Sequence, residues 1–148
     1  MNPMMFKHMP GFVKKELEAI SEVLHPYLKK HSKYLVFALP LLTFSVFNLF
    51  FYLITGNLYL DMIPTLAIYA LMASIGLALY KESRYVKKEI ENIGMEHMIN
   101  RIKNSEHMND YSKESYINTI KEQPKLGFQP FIDFLTEEHQ RKQQMFGN

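Results

Sequence analysis

The chain is predicted to be all-α: a two-helix transmembrane hairpin with amphipathic cytoplasmic helices forming a small helical bundle. Three observations carry that prediction. Residues 34–80 form a 47-residue stretch with a single charge, Asp61, inside a chain of 148 residues. The other 101 residues hold the remaining 31 charges, 17 basic and 14 acidic. Outside the uncharged stretch, apolar residues recur three and four apart, the period of a helix, and no useful strand alternation occurs. A water-soluble domain rarely segregates its apolar residues this way. The pattern argues against an ordinary soluble enzyme, a disordered chain and a disulfide-stapled secreted domain.

Residues 1–33 read as an N-terminal cytoplasmic amphipathic segment. Val13, Leu17, Ile20, Leu24 and Leu28 make one apolar stripe, with Lys14, Lys15, Glu18, Glu22 and Lys29 away from it. Pro10 suits a first helical turn, and Pro26 is predicted to bend or interrupt the helix by removing an internal hydrogen bond. Two placements compete for the stripe, the bilayer surface and a packed bundle. Glu16, Glu18 and Glu22 favour the bundle, because an anionic leaflet repels them. No cleavable signal peptide is expected, since the first apolar run follows this charged stretch and is too long for a signal core.

Residues 34–55 form the first predicted span, 22 residues without charge and with fourteen Leu, Ile, Val or Phe. As a helix the run rises about 33 Å, enough for a hydrocarbon core of about 30 Å. Its insertion is favourable by roughly 4–8 kcal/mol before polar corrections. Pro40 inside it reads as a kink that a bilayer tolerates. Residues 56–61 are a short external link, too short for a domain, with Gly56-Asn57 as the helix stop. Residues 62–80 form the second span, about 28 Å long as a helix. With seven Leu or Ile it gains only roughly 2–4 kcal/mol, so it depends on packing against the first. Pro64 falls in its first turn, where a missing donor costs little.

Orientation follows from the basic residues. Lys29, Lys30 and Lys33 precede the first span, Lys81, Arg84, Lys87 and Lys88 follow the second, and the link has none. The expected topology is a multi-pass cell-membrane protein with both termini cytoplasmic and Asp61 outside. Tyr34 and Tyr80 suit the inner boundary, Tyr52 and Tyr59 the outer one. Within the spans, Ser45, Asn48 and Tyr52 share one face, and Ala70, Ser74 and Ala78 form a small-residue stripe. Antiparallel pairing puts Asn48 level with Tyr69 and Ala70. The helix-packing candidates are therefore Ser45, Asn48, Ala70, Ser74 and Ala78, with Asn48 bonding across the hairpin or to a second copy. A polar ion path is the rival reading, but no ionisable group lies within either span.

Residues 81–148 form the C-terminal cytoplasmic helical region. The second span is predicted to run on through Val86, Ile90, Ile93, His97, Met98 and Ile102, with Gly94 marking a bend. Its stripe and that of the N-terminal helix suit antiparallel pairing, within the chain or across a dimer. Residues 104–110 are turn-like. Ser112 is expected to cap a helix over 113–122, with Tyr116, Ile117 and Ile120 as contacts. A loop at 123–127 leads to a last helix from Pro130 to about Met145. Phe131, Phe134 and Leu135 form its apolar face, with acidic residues early and basic ones late.

Reactive constellations are lacking in the sequence. There is no Cys, no His-Glu-x-x-His, no phosphate-binding loop and no nucleophile elbow. His8, His25, His31, His97, His107 and His139 include no pair four apart. The similar tripeptides Glu96-His97-Met98 and Glu106-His107-Met108 read as surface histidines rather than a metal site. Glu89, Glu91 and Glu96, alternating with Lys87, Lys88 and Arg101, read as a solvated helix face. Phe128, Phe131 and Phe134 near Lys125 read as a buried face rather than a nucleic-acid platform.

The layout of amphipathic helix, Lys-Tyr-bordered span with Asn48–Phe51 (Asn-Leu-Phe-Phe), short link, second span and helical tail resembles a family of small two-span bacterial membrane proteins with no assigned function. The resemblance implies a bacterial inner membrane and transfers no functional residue. The functional expectation is a non-enzymatic, self-associating interaction or scaffold protein, without catalytic, cofactor-binding or metal-binding residues and without a cofactor. Its expected partners are the lipid bilayer and a second copy or another membrane-associated protein, not nucleic acid. The alternative is one subunit of an oligomeric pore or transporter.

Overall fold

A computed structural model describes residues 9–55, 60–124 and 127–146. The Gly56-Asn57 helix stop, Tyr59, His8 and Lys125 lie outside the described residues. Four α-helices follow in order: α1 (Gly11–Thr55), α2 (Ile63–Lys103), α3 (Asp110–Glu122) and α4 (Phe128–Phe146), with a 3-10 turn at Leu60–Met62 before α2. No strand occurs among the described residues. The fold is all-α, and packing divides it into two compact units, Tyr27–Lys88 and Met1–Pro26 with Glu89–Asn148.

The first unit is an antiparallel helical hairpin. On α1 its seam runs through His31, Ala38, Ser45 and Tyr52, and on α2 through Tyr69, Gly76 and Ser83. The spacing is seven on both helices, the repeat that keeps one narrow face toward a partner helix. Small residues sit where the helices come nearest. A Cβ on Gly76 would lie 2.9 Å from Leu42 Cγ and 3.2 Å from the Leu42 backbone N. His31 Nδ1 lies 2.8 Å from Ser83 Oγ and 3.0 Å from the Ser83 carbonyl, tying the helices at one end. Tyr69 lies between Phe44 and Tyr52, with ring centroids 6.0 and 6.2 Å away. The remaining faces are apolar and open: Phe47, Leu53 and Ile54 on α1 are each 69% exposed, and Leu71 on α2 is 63% exposed. Both helices are long and apolar enough to cross a membrane, and only 11% and 6% of their most apolar windows are buried.

The second unit is a four-helix bundle of residues 11–26, residues 89–103, α3 and α4. The N-terminal stripe packs into it: Val13, Leu17, Ile20 and Leu24 are buried against Met98, Ile99 and Ile102. The bundle therefore takes this stripe from Val13 to Leu24 in place of the bilayer surface, whereas Leu28, expected on the same stripe, is 44% exposed and lies in the hairpin unit. Phe131 and Phe134 are fully buried, with Tyr116 edge-on to Phe134 at 5.6 Å. Each such side chain removed from water contributes about 1.5–3 kcal/mol.

Two local expectations are corrected, the interruption at Pro26 and the start of α3. α1 continues through Pro26 without interruption. The carbonyl that loses its donor there belongs to Glu22, which is exposed like Pro26 itself, so water can take the missing bond. α2 also runs as one helix through Gly94, which is buried and where a Cβ would lie 3.6 Å from Leu24 Cδ1, an ordinary contact. α3 begins three residues earlier than predicted, because Asn109 is the cap. The Asn109 carboxamide oxygen accepts from the Ser112 backbone N–H at 2.9 Å, so Ser112 receives the cap instead of supplying it.

Candidate functional site

The five helix-packing candidates separate by helix. Ser45 is buried on the α1 seam and its hydroxyl donates to the Leu41 carbonyl. Asn48 is half-buried beside it and donates to the Phe44 carbonyl at 2.7 Å, within its own helix instead of across the hairpin. Ala70, Ser74 and Ala78 are exposed and do not line the hairpin seam. Ser74 donates to the Leu71 carbonyl at 2.8 Å. The seven-residue step from Tyr69 to Gly76 and Ser83 sets the seam, and the small-residue stripe falls on another face.

A partly buried cluster of charged side chains lies in the four-helix bundle. Arg101, read from the sequence as part of a solvated face, bridges two other helices. Its Nε donates to Glu16 Oε1 at 2.7 Å, and its Nη2 and Nη1 donate to the two oxygens of Glu138 at 2.7 and 3.2 Å. The fork-to-carboxylate geometry with Glu138 is the strong, directional kind. The Ser105 hydroxyl, just past the end of α2, also donates to Glu138. The Glu138 and Arg101 side chains are 12% and 29% exposed, so solvent only partly screens the pair.

The electrostatics follow from these bonds. Burial alone would raise the Glu138 carboxyl, but hydrogen bonds from Arg101 and Ser105 outweigh it and hold the group below the usual carboxylate range. Burial would lower Arg101, and its bonds to Glu138 and Glu16 raise it instead. Beside this cluster, the Tyr116 hydroxyl donates to Glu137 Oε2 at 2.8 Å, and Arg141 Nη2 holds Glu137 Oε1 at 2.7 Å. Burial, then that bond to Glu137, pushes the Tyr116 phenol up to about 12. The hydrogen bond from Tyr116, with help from Arg141, holds Glu137 low despite its burial.

A cleft of about 390 Å³ opens over the cluster. Phe12 and His139 stack along its wall with centroids 4.1 Å apart, and His107, Asn104 and Lys142 complete the rim. A carboxylate held low by a guanidinium is a weak base, so Glu138 is poorly suited to abstract a proton from Ser105. The arrangement does what a clamp does, joining α1, α2 and α4 through one side chain. No group of three His, Asp or Glu among the described residues has metal-holding geometry. The sequence did carry a signal for this site. Glu138 follows Phe131, Phe134 and Leu135 at helical spacing, so a charge stands on an apolar stripe and needs an opposite charge to face it.

No solved structure matches this chain. It is 39% identical over 142 residues to the uncharacterized protein YwnF of Bacillus subtilis strain 168, covering 96% of this chain and 98% of that protein. A family model described as a family of unknown function, DUF5392, matches residues 5–143. With nearly the whole length covered by both comparisons, the chain belongs to the DUF5392 family.

Proposed function

We propose that this protein is a non-enzymatic, self-associating interaction protein of the bacterial inner membrane, anchored by its hairpin and presenting its helical bundle to the cytoplasm. One observation carries the reading: two helices of membrane-spanning length whose most apolar windows are only 11% and 6% buried. A core helix of a soluble protein hides such a surface. Here the open side chains are Phe, Leu and Ile on several faces, a surface that hydrocarbon solvates and water does not. The charges around residues 29–33 and 81–88 favour cytoplasmic termini. The outward stripe of Ala70, Ser74 and Ala78 supports self-association, because small residues let a second helix approach closely. The Arg101 clamp supports a rigid binding module over a catalyst, since its carboxylates are already committed to Arg101.

The chain has no cysteine, so single replacements report cleanly. In native membranes, Ser74→Cys is expected to form a crosslinked dimer under mild oxidation, and Ser45→Cys, on the hairpin seam, is not. The protein is expected to stay with the membrane through alkaline extraction. Release into the soluble fraction would remove the membrane anchor, and a strictly monomeric Ser74→Cys would remove self-association through this face.

A further inference from the structure

The hairpin unit carries a band of cations at one level. Lys29, Lys30 and Lys33 stand on α1, and Lys81, Arg84, Lys87 and Lys88 stand on α2, all exposed. The only carboxylate among them is Glu82. Among the described residues, none of the seven makes an ion pair. The bond between His31 and Ser83 fixes the register, so in antiparallel helices Lys33 stands level with Lys81 and Lys30 level with Arg84. Like charges at one level repel unless an anion stands near them. The longer arm of the band, 81–88, rises about 10 Å along its helix, comparable to the headgroup layer beside a hydrocarbon core. Directly beyond it begin the open apolar faces, with Val36 and Phe37 62% and 57% exposed. Tyr34 and Tyr80 mark the boundary, and Lys30 Nζ lies 5.9 Å from the centre of the Tyr34 ring.

We infer that this band is a binding collar for anionic phospholipids, with lysine and arginine heads on the lipid phosphates and the adjoining apolar faces against the acyl chains. An occupant must be anionic at the band and apolar immediately beside it. Free phosphate meets only the first requirement, and an acidic soluble protein meets only the first as well. The inference rests on the membrane reading proposed above.

Full-length protein reconstituted in mixed phosphatidylcholine and phosphatidylglycerol bilayers, with spin-labelled lipids of each class, tests it. Wild type is expected to prefer the phosphatidylglycerol label by about fivefold, the size of one cation–headgroup contact at a membrane surface. The preference should fall as salt rises, because the charges are exposed. The K29Q/K30Q/K33Q variant is expected to lose part of it and K29Q/K30Q/K33Q/K81Q/R84Q/K87Q/K88Q most of it, whereas K14Q/K15Q, whose lysines lie in the bundle unit, is expected to keep it. Inorganic phosphate in excess, at matched ionic strength, should not displace the lipid. Equal uptake of both lipids by wild type, or displacement by phosphate, would overturn the collar. Flotation with pure phosphatidylcholine vesicles separates the two readings: protein that floats there but takes up both labels equally in the mixed bilayer refutes the collar alone, and protein that does not float refutes the membrane anchor beneath it.

Discussion

Arg101 faces two carboxylates from two helices, so its truncation leaves more than a missing bond. In Arg101→Met, Glu16 and Glu138 lose the guanidinium that pairs both of them, and the bundle is expected to lose about 2–3 kcal/mol. Denaturant titration of the bundle checks this, and adding Glu138→Met should restore part of the loss, because it removes the uncompensated charge. The pH dependence has two arms. Glu138 is held below its ordinary value in the fold, so its stabilisation is present above about pH 4.3 and fades as the pH falls below that. Tyr116 is pushed up to about 12, so its contribution is present below the ordinary tyrosine value of about 10 and is lost as the pH rises toward about 12. Thermal melts across pH are expected to show wild type weakening at both ends. Glu138→Gln should flatten the acid arm, and Tyr116→Phe the alkaline one. A wild-type profile that Tyr116→Phe reproduces in alkali would show that the phenol adds nothing to stability. None of these partners was nameable from sequence: Arg101 and Glu16 are 85 residues apart, and only the misplaced charge of Glu138 hinted at a pair.

Two glycines of α2 separate what a helix tolerates from what its neighbour tolerates. At Gly94 a Cβ would meet Leu24 Cδ1 at 3.6 Å, an ordinary contact, so Gly94→Ala is expected to stabilise the bundle by about 0.5–1 kcal/mol through helix propensity. At Gly76 the same methyl would lie 3.2 Å from the Leu42 backbone N, which no rotamer change relieves. Gly76→Ala is expected to destabilise the hairpin by about 1–3 kcal/mol. Unfolding in detergent, followed by circular dichroism, should show opposite shifts for the two variants, and equal shifts would refute the close approach at Gly76. The contrast also shows where sequence reading stops. Helix existence was legible throughout, because periodic stripes and charge-free runs are properties of single segments. The buried face of α2 between Ile63 and Tyr80 was not, because nearly every face there is apolar and a stripe cannot stand out. Ala70, Ser74 and Ala78 drew attention by size, yet the seam follows Tyr69, Gly76 and Ser83. Pro26 misled for a related reason: the carbonyl it orphans is that of exposed Glu22, where water replaces the lost bond and lowers that part of the cost.

At the scale of the molecule the governing fact is the partition of charge. Concentrating 47 residues around one carboxylate leaves a hairpin whose outer faces have no protein to cover them. The two proposed spans are unequal: the first gains roughly 4–8 kcal/mol on insertion and the second roughly 2–4. Cations stand at one end of the hairpin and Asp61 at the other, which sets the expected direction of insertion. The test uses the absence of cysteine. Asn57→Cys is expected to react with an impermeant thiol reagent on intact cells, whereas His8→Cys and Gln143→Cys are expected to react only after permeabilisation. Because orientation rests on the basic residues, moving them should move the topology. Neutralising Lys29, Lys30, Lys33, Lys81, Arg84, Lys87 and Lys88 to Gln while placing lysines at Asn57 and Asp61 is expected to invert a measurable share of the molecules. Inversion would appear as labelling of Gln143→Cys on intact cells. Unchanged labelling in that charge-swapped chain would mean that the folded bundle, not the charge pattern, holds the termini inside.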